Sequence, residues 1–228
     1  MDRIDLYQVH FDDPDTPVAE TIGAVEDLVA AGKIRRYGVG HLPLPRVEQY
    51  MAAGNVFSVL MEFSAVARGA REQLIPLCDE RNVAAIAFSV TGRGLLTGRY
   101  TEDHVLPDGD IRQIDPLFQR ERFRSGLRVA EKLAEVGARY GRSPVQTAIA
   151  WVVSQPGITC ALTGPSSIDH LEENLAASGW TLPDEELADL DAWFDRERRH
   201  LARAQRTSVR QILTDPLPED PQIGRAHV

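Results

Sequence analysis

The stretch Ile4-Asp5-Leu6-Tyr7-Gln8-Val9-His10 decides the fold, because it reads as a buried strand that closes on a polar residue. Residues 12–15 follow as an acidic turn around a proline, and Thr16 with Pro17 then caps and opens a helix. Gly32 ends that helix as a left-handed stop. The helix carries an apolar stripe, formed by Val18, Ile22, Val25 and Val29. Strand, turn and helix therefore make one unit.

The unit repeats along the chain, and no hairpin signal interrupts it. Further strands are predicted over 36–39, 56–61, 84–88 and 158–162. Helices that each follow a strand are predicted over 47–53, 70–81 and 167–177. Five parallel strands joined by crossover helices define an α/β fold.

Apolar periodicity predicts the buried side of the later helices. Two helices in succession precede the fifth strand, with stripes formed by Val129, Leu133, Val136 and Tyr140 and by Val145, Ala148, Ile149 and Val152. Ser143 and Gln146 predict a capping box at the start of the second. The last helix is expected to turn Ile168, Leu171 and Leu175 inward.

A series of this kind closes either as an open doubly wound sheet or as a (β/α)8 barrel. The first normally carries a glycine fingerprint in the turn after a strand. The candidate here is Gly92-Arg93-Gly94-Leu95-Leu96-Thr97-Gly98, in which the third glycine is one residue late and no helix opens within a tight turn. The segment is therefore discounted as a dinucleotide-binding fingerprint.

The composition is that of one soluble domain, with 228 residues, 43% of them hydrophobic, and a net charge of -9. No apolar run is long enough to span a bilayer and the charged opening is no secretory signal, so we expect a cytoplasmic protein without a membrane partner. The negative charge predicts no nucleic-acid partner, and the arginines within 196–206 read as a solvated helix face. Cys78 and Cys160 are expected to be buried thiols, and no metal site is predicted.

Four ordered motifs give the chain a likeness to a known family. They are residues 4–10, residues 32–39, Gly94-Leu95-Leu96-Thr97-Gly98 and Leu171-Glu172-Glu173-Asn174-Leu175. Over residues 2–194 the chain resembles the aldo/keto reductases, which are NADPH-dependent (β/α)8 barrels. The resemblance assigns the motifs to the fourth, fifth and seventh strands and to the helix after the eighth. It implies an incomplete barrel over residues 1–214, with strands four to eight present, and a disordered tail over 215–228.

The resemblance implies hydride transfer from a nicotinamide to the carbonyl carbon of a small molecule, assisted by a tyrosine, a lysine, an aspartate and a histidine. A phenol with a pKa near ~10 must give its proton at neutral pH, and a neighbouring ammonium eases that ionisation. By its place in the motif, His10 is the histidine that orients the carbonyl oxygen. The family carries the other three residues upstream of His10, and Lys33 and Lys132 do not replace the lysine. We expect the chain as written not to reduce a carbonyl.

The resemblance also implies a bound NADP(H) or NAD(H). Phe88 matches the aromatic residue that stacks on the nicotinamide ring. Where the family holds the carboxamide with a Ser-Asn pair and a Gln, this chain has Gly40 and His41 and then Leu60, whose side chain cannot bond an amide. His41 either bonds the carboxamide or packs within the proline-containing loop that follows it.

At the other end of the dinucleotide, residues 164–167 precede a helix N-terminus that can face a phosphate. The remaining residues predicted to contact the cofactor are Ser89, Gly94, Leu96, Gly164, Ser166, Ser167, His170, Glu173 and Asn174. Family members often carry an Arg or Lys at the Ser166 position and a basic or amide residue at the His170 position, so NADP(H) and NAD(H) both stay open.

Three functions follow as alternatives. In the first, the chain is a truncated and inactive part of an oxidoreductase that reduces carbonyls. In the second it is a non-catalytic relative that binds a nucleotide or a partner, and in the third a lyase or isomerase that uses His10 without hydride transfer. Unpaired edges of a partial barrel predict self-association. Residues 223–228 match one reading frame of a common sequencing adapter, so we expect them not to be native.

Overall fold

The computed structural model describes the backbone of residues 2–214 and the side chains of residues 2–206, so the tail predicted over 215–228 lies outside the described residues. The strands are β1 (Ile4–Val9), β2 (Ile34–Gly40), β3 (Ser58–Glu62), β4 (Ala84–Phe88) and β5 (Ile158–Ala161). The α-helices are α1 (Val18–Ala30), α2 (Leu44–Ala53), α3 (Leu74–Glu80), α4 (Arg120–Ala138), α5 (Pro144–Val153), α6 (Ile168–Leu175) and α7 (Asp184–Thr214). Short 3-10 turns occupy Gly69–Arg71, Leu95–Thr97, Ile111–Gln113 and Pro116–Phe118.

The strands form one parallel sheet in which each strand pairs with the next along the chain. The predicted α/β fold with five parallel strands is therefore confirmed. Within the described residues, β1 and β5 each have a pairing partner on one side only. Because the strands run in one direction, their carboxyl ends share an edge, and in α/β proteins that edge holds the ligand site.

Local signals set several helix ends. The hydroxyl of Ser143 accepts the backbone N–H of Gln146 at 3.4 Å, and Gln146 Oε1 accepts the N–H of Ser143 at 3.2 Å, which confirms the capping box. Gly32 follows α1 with a φ of 69°, as expected for a left-handed stop. Thr16 does not cap α1. Its hydroxyl donates to Asp13 Oδ2 at 2.7 Å instead.

Other details of the helix predictions are wrong. Residues 70–81 form a 3-10 turn and then α3, because Pro76 has no N–H and its ring would clash with the carbonyl of residue 72 in a longer helix. Tyr140 lies beyond the end of α4 and is exposed. Cys78 is buried as expected, but Cys160 on β5 is exposed.

The apolar stripe of α6 faces outward. Ile168 is 72%, Leu171 41% and Leu175 60% exposed, so the prediction that they point inward is wrong. The stripe itself has helical spacing, but the described residues contain no strand beyond β5 on which it could pack. Hydrogen bonds to backbone carbonyls hold the C-terminal end of α6, from Gln146 Nε2 to Glu173 at 3.1 Å and from Arg142 Nη1 to Ala176 at 2.8 Å.

The core joins the sheet to α4, α5 and α7. Trp151 of α5 is fully buried, its ring lies 5.4 Å from that of Phe63, and its Nε1 donates to Asp191 Oδ1 of α7 at 2.9 Å. An ion pair, Arg68 to Asp195 at 2.8 Å, also anchors α7. Among the helices of the described residues, we find none that combines the length and the apolar character needed to cross a bilayer.

Candidate functional site

The carboxyl ends of β1 to β4 bring polar and aromatic side chains together. His10 directly follows β1, His41 directly follows β2, and Glu62 and Phe88 are the last residues of β3 and β4. Glu62 and Phe88 are register partners, so neighbouring strands deliver them side by side. His10 therefore stands at the carboxyl end of its strand, as the sequence predicts.

Aromatic rings pack against His41 at this edge. The centroid of the His41 ring lies 4.8 Å from that of His10, 4.8 Å from that of Phe11 and 4.5 Å from that of Phe88. His41 reaches this position with a left-handed backbone, at a φ of 53°. Burial, and next the neighbouring His10, lower the pKa of His41, which favours its neutral imidazole. The His41 ring thus packs against the rings of His10, Phe11 and Phe88, which differs from the expected packing within the proline-containing loop.

Arg93 joins two clefts at the same edge. Its guanidinium pairs with Glu62 Oε1 at 2.9 Å and with Asp115 Oδ2 at 2.8 Å. Glu62 also lines a cleft of about 350 Å³ together with His41 and Phe88. Arg93 lines a larger cleft of about 680 Å³. The ion pair thus connects the walls of the two clefts.

The larger cleft lies between the loop after β4 and the segment that joins β5 to α6. The predicted cofactor residues that line it are Ser89, Gly94, Gly164, Ser166, His170, Glu173 and Asn174. They come from two distant segments of the chain, so only folding brings them together. Leu96 is different, because it is fully buried in the core and its side chain is not available to a ligand.

Two arginines of this cleft were not among the predicted site residues. Arg99 Nη2 donates to the hydroxyl of Tyr100 at 2.7 Å, and Arg112 Nη1 donates to the same hydroxyl. Hydrogen bonds from Arg112 lower the pKa of Asp110 to about 2, so a carboxylate balances Arg112. Arg99 forms no ion pair with a carboxylate of the described residues. The signal that could have revealed Arg99 is its place directly after Gly98 of the glycine motif.

The N-terminus of α6 faces this cleft. Ser167 is its N-cap, and its hydroxyl accepts the backbone N–H of His170 at 3.2 Å. The side chain of His170 is held in turn, because its Nδ1 lies 3.1 Å from the hydroxyl of Ser166. Helix N-termini and guanidinium groups both favour anions. This end of the site therefore fits the phosphates of a dinucleotide.

The end near Phe88 does not fit a nicotinamide held by its carboxamide. Gly40 and Leu60 are register partners on β2 and β3, and neither has a polar side-chain atom. A Cβ at Gly40 would lie 3.1 Å from Leu60 Cβ, so Leu60 fills the space beside the glycine. The ring of His41 lies against Phe88, where a flat ligand would have to stack.

Residues 1–195 match the model of the aldo/keto reductase family. The chain belongs to this family. The Aldo-keto reductase YhdN of Bacillus subtilis (strain 168) is 33% identical over 191 residues, which cover 83% of this chain and 58% of that protein. The solved structure of the glycerol dehydrogenase AKR11B4 from Gluconobacter oxydans is similar with a TM-score of 0.79 at 27% identity, over 86% of this chain and 60% of that one.

A third relative is an aldo-keto reductase from Klebsiella pneumoniae solved in complex with NADPH. It has a TM-score of 0.65 at 28% identity, over 85% of this chain and 59% of that one. The family resemblance drawn from the motifs is thus confirmed, and the family is one of oxidoreductases that use nicotinamide cofactors. This chain spans 58% to 60% of the length of these relatives.

Proposed function

We propose that the chain is the nucleotide-binding part of an NAD(P)H-dependent aldo/keto reductase that reduces the carbonyl of a small molecule to an alcohol. The observation that carries this proposal is the single cleft lined by predicted cofactor residues from the loop after β4 and from the start of α6. Arg99, which forms no ion pair with a carboxylate of the described residues, adds positive charge that favours a pyrophosphate, and Arg112 adds a guanidinium balanced by Asp110. We expect the protein in the cytoplasm, as the sequence predicts.

The roles proposed for individual residues follow from their positions. His10, exposed at the sheet edge, would donate a hydrogen bond to the carbonyl oxygen of the substrate. Arg99 and Arg112 would bind the phosphates, and Glu173 with Asn174 would contact the adenine. When bound, the reduced nicotinamide supplies the hydride. The proton donor and its lysine and aspartate partners would come from three upstream βα units, which complete an eight-stranded barrel.

The one-sided pairing of β1 and β5 and the relatives' greater length support this incomplete barrel.

The test has two parts. Calorimetry should detect binding of NADPH or NADH to the chain, while the absorbance of reduced nicotinamide should show no turnover with an aldehyde. Genomic sequence upstream of the Met1 codon should encode three βα units with the missing aspartate, tyrosine and lysine. Turnover by the chain alone, or failure of both nucleotides to bind, would contradict the proposal.

A second candidate is a non-catalytic member of the family that binds a nucleotide or a protein partner. The packing of Leu60 against Gly40 favours it, because these positions lack the polar side chains that hold a carboxamide. An authentic stop codon just upstream of the Met1 codon would select this candidate. An upstream reading frame with the catalytic residues would select the reductase.

Self-association is part of the proposal, because two apolar surfaces are uncovered. Ile4 and Tyr7 are 44% and 42% exposed on β1, and Ile168 and Leu175 project from α6. Unpaired strands and exposed apolar side chains favour contacts between copies. Sedimentation velocity should show concentration-dependent association, and Leu175→Gln should weaken it. The matched control Ile114→Gln, in an exposed loop, should sediment as the unaltered chain, and equal effects of both changes would count against this interface.

A further inference from the structure

The two ends of the candidate site offer different chemistry to a dinucleotide. Arg99 and Arg112 line one end, together with Ser166 and His170 at the start of α6. The other end presents Leu60 and the ring of Phe88, with His41, Glu62 and Gln73 in the same lining. A charged ligand group gains hydrogen bonds at the first end, whereas an amide gains none from the side chains of Gly40 and Leu60 at the second.

At the second end, Leu60 fills the space beside Gly40. A Cβ at Gly40 would lie 3.1 Å from Leu60 Cβ and 3.3 Å from Leu60 Cδ2. Leu60 is itself buried, with 8% of its surface exposed. An amide pressed against this pair would lose water without gaining a hydrogen bond from either side chain, which costs free energy. Gly40 and Leu60, on neighbouring strands, therefore together disfavour an amide beside them.

His41 covers the ring that a flat ligand would use. Its centroid lies 4.5 Å from Phe88, and contacts with His10 and Phe11, both at 4.8 Å, hold it there. A ligand ring that stacked on the face of Phe88 next to His41 would first have to break these contacts. Binding energy gained by stacking is thus offset by the contacts that His41 gives up.

We infer that the cleft binds its ligands through their adenosine diphosphate portion and that a nicotinamide ring adds no affinity. The ligand class is an adenine nucleotide with a pyrophosphate, whether or not nicotinamide is attached. This inference rests on the proposed function, because it takes the cleft of about 680 Å³ as the dinucleotide site.

Calorimetry on the full chain of 228 residues tests the inference with matched ligand pairs. NAD+ is compared with ADP-ribose, and NADP+ with 2′-phospho-ADP-ribose, so that each pair differs only in the nicotinamide. The two dissociation constants of each pair should agree within about three-fold. A larger preference for the nicotinamide-bearing ligand overturns the inference and leaves the nucleotide site standing. Absence of binding by all four ligands overturns the proposed nucleotide site as well.

The variant His41→Asn tests whether the His41 ring is the reason that nicotinamide adds no affinity. Asparagine tolerates the left-handed backbone at this position and removes the imidazole from the face of Phe88. ADP-ribose should bind His41→Asn as it binds the unaltered chain, whereas NAD+ should gain about three-fold or more. An unchanged ratio between the two ligands would show that His41 does not exclude the nicotinamide, which overturns this part of the inference.

A second variant tests the phosphate end. Arg99→Gln should weaken all four ligands by a similar factor, about five-fold to ten-fold, because each carries the same pyrophosphate. Arg81→Gln removes the same charge from an exposed position between α3 and β4, at the opposite edge of the sheet, and should change none of the affinities. Equal affinities for Arg99→Gln and Arg81→Gln would overturn the placement of the pyrophosphate.

Discussion

Replacing Ser167 with alanine should loosen α6 without unfolding the protein. The hydroxyl of Ser167 accepts the backbone N–H of His170 at 3.2 Å, and alanine cannot replace that bond. Loss of such an N-cap costs about 1 kcal/mol. No residue of α6, all of which are described, is buried, so little packing opposes its opening. The cost should therefore appear as local opening of α6.

The expected magnitude follows from this cost. About 1 kcal/mol corresponds to about a five-fold increase in the open population of α6, which amide hydrogen exchange over residues 168–175 would detect. The affinity for ADP-ribose should fall by at most the same factor. The matched control is Ser143→Ala, which removes the N-cap of the largely buried α5. There the same cost should lower Tm by about 2 to 4 °C and leave exchange in α6 unchanged.

The reasoning fails if the two alanine variants behave alike. A loss of Tm in Ser167→Ala as large as that in Ser143→Ala, with unchanged exchange in α6, would show that α6 unfolds only together with the core. Exchange that increases without any loss of ADP-ribose affinity would show that the helix N-terminus does not contribute to binding.

Further predictions concern the sheet and the contact between α4 and α7. Gly38→Ala would place a Cβ 2.2 Å from the hydroxyl of Ser58. This overpacking should lower the free energy of unfolding, measured in urea, by about 1 to 3 kcal/mol. An unchanged urea midpoint would contradict this prediction. Glu197→Ala removes the acceptor of the buried Ser125 hydroxyl and should lower the free energy of unfolding by about 1 to 3 kcal/mol. Glu197→Gln keeps an acceptor and should lower it by less. Equal losses of stability in the two variants would exclude the lost hydrogen bond as the explanation. Burial opposes ionisation of Glu197, but hydrogen bonds from Arg128 and Ser125 outweigh it and lower the pKa of Glu197. Its stabilising effect is therefore complete above the unfolded pKa of about 4.3 and is lost as the pH falls below it, so the stability difference from Glu197→Gln should shrink in acid.

Much of the fold could be predicted because its signals are local. The sequence predicts β4 with the bounds that the structure has, and the capping box of α5 follows from Ser143 and Gln146 alone. The two cleft segments could be predicted from their motifs. Arg112 could not, because it lies in a long polar loop whose course depends on contacts with Tyr100 and Asp110. Contacts within such a loop leave no periodic pattern of apolar residues in the sequence.

The sequence by itself determined the α/β class, the parallel order of the strands, the family and the place of His10 at a strand end. These properties depend on periodicity, caps and motifs that neighbouring residues carry. Only the tertiary structure decided that His41 covers Phe88, that Leu60 fills the space beside Gly40, and that α6 turns its apolar stripe outward. Each of these depends on which surfaces meet when distant segments pack, and that is a property of the folded chain.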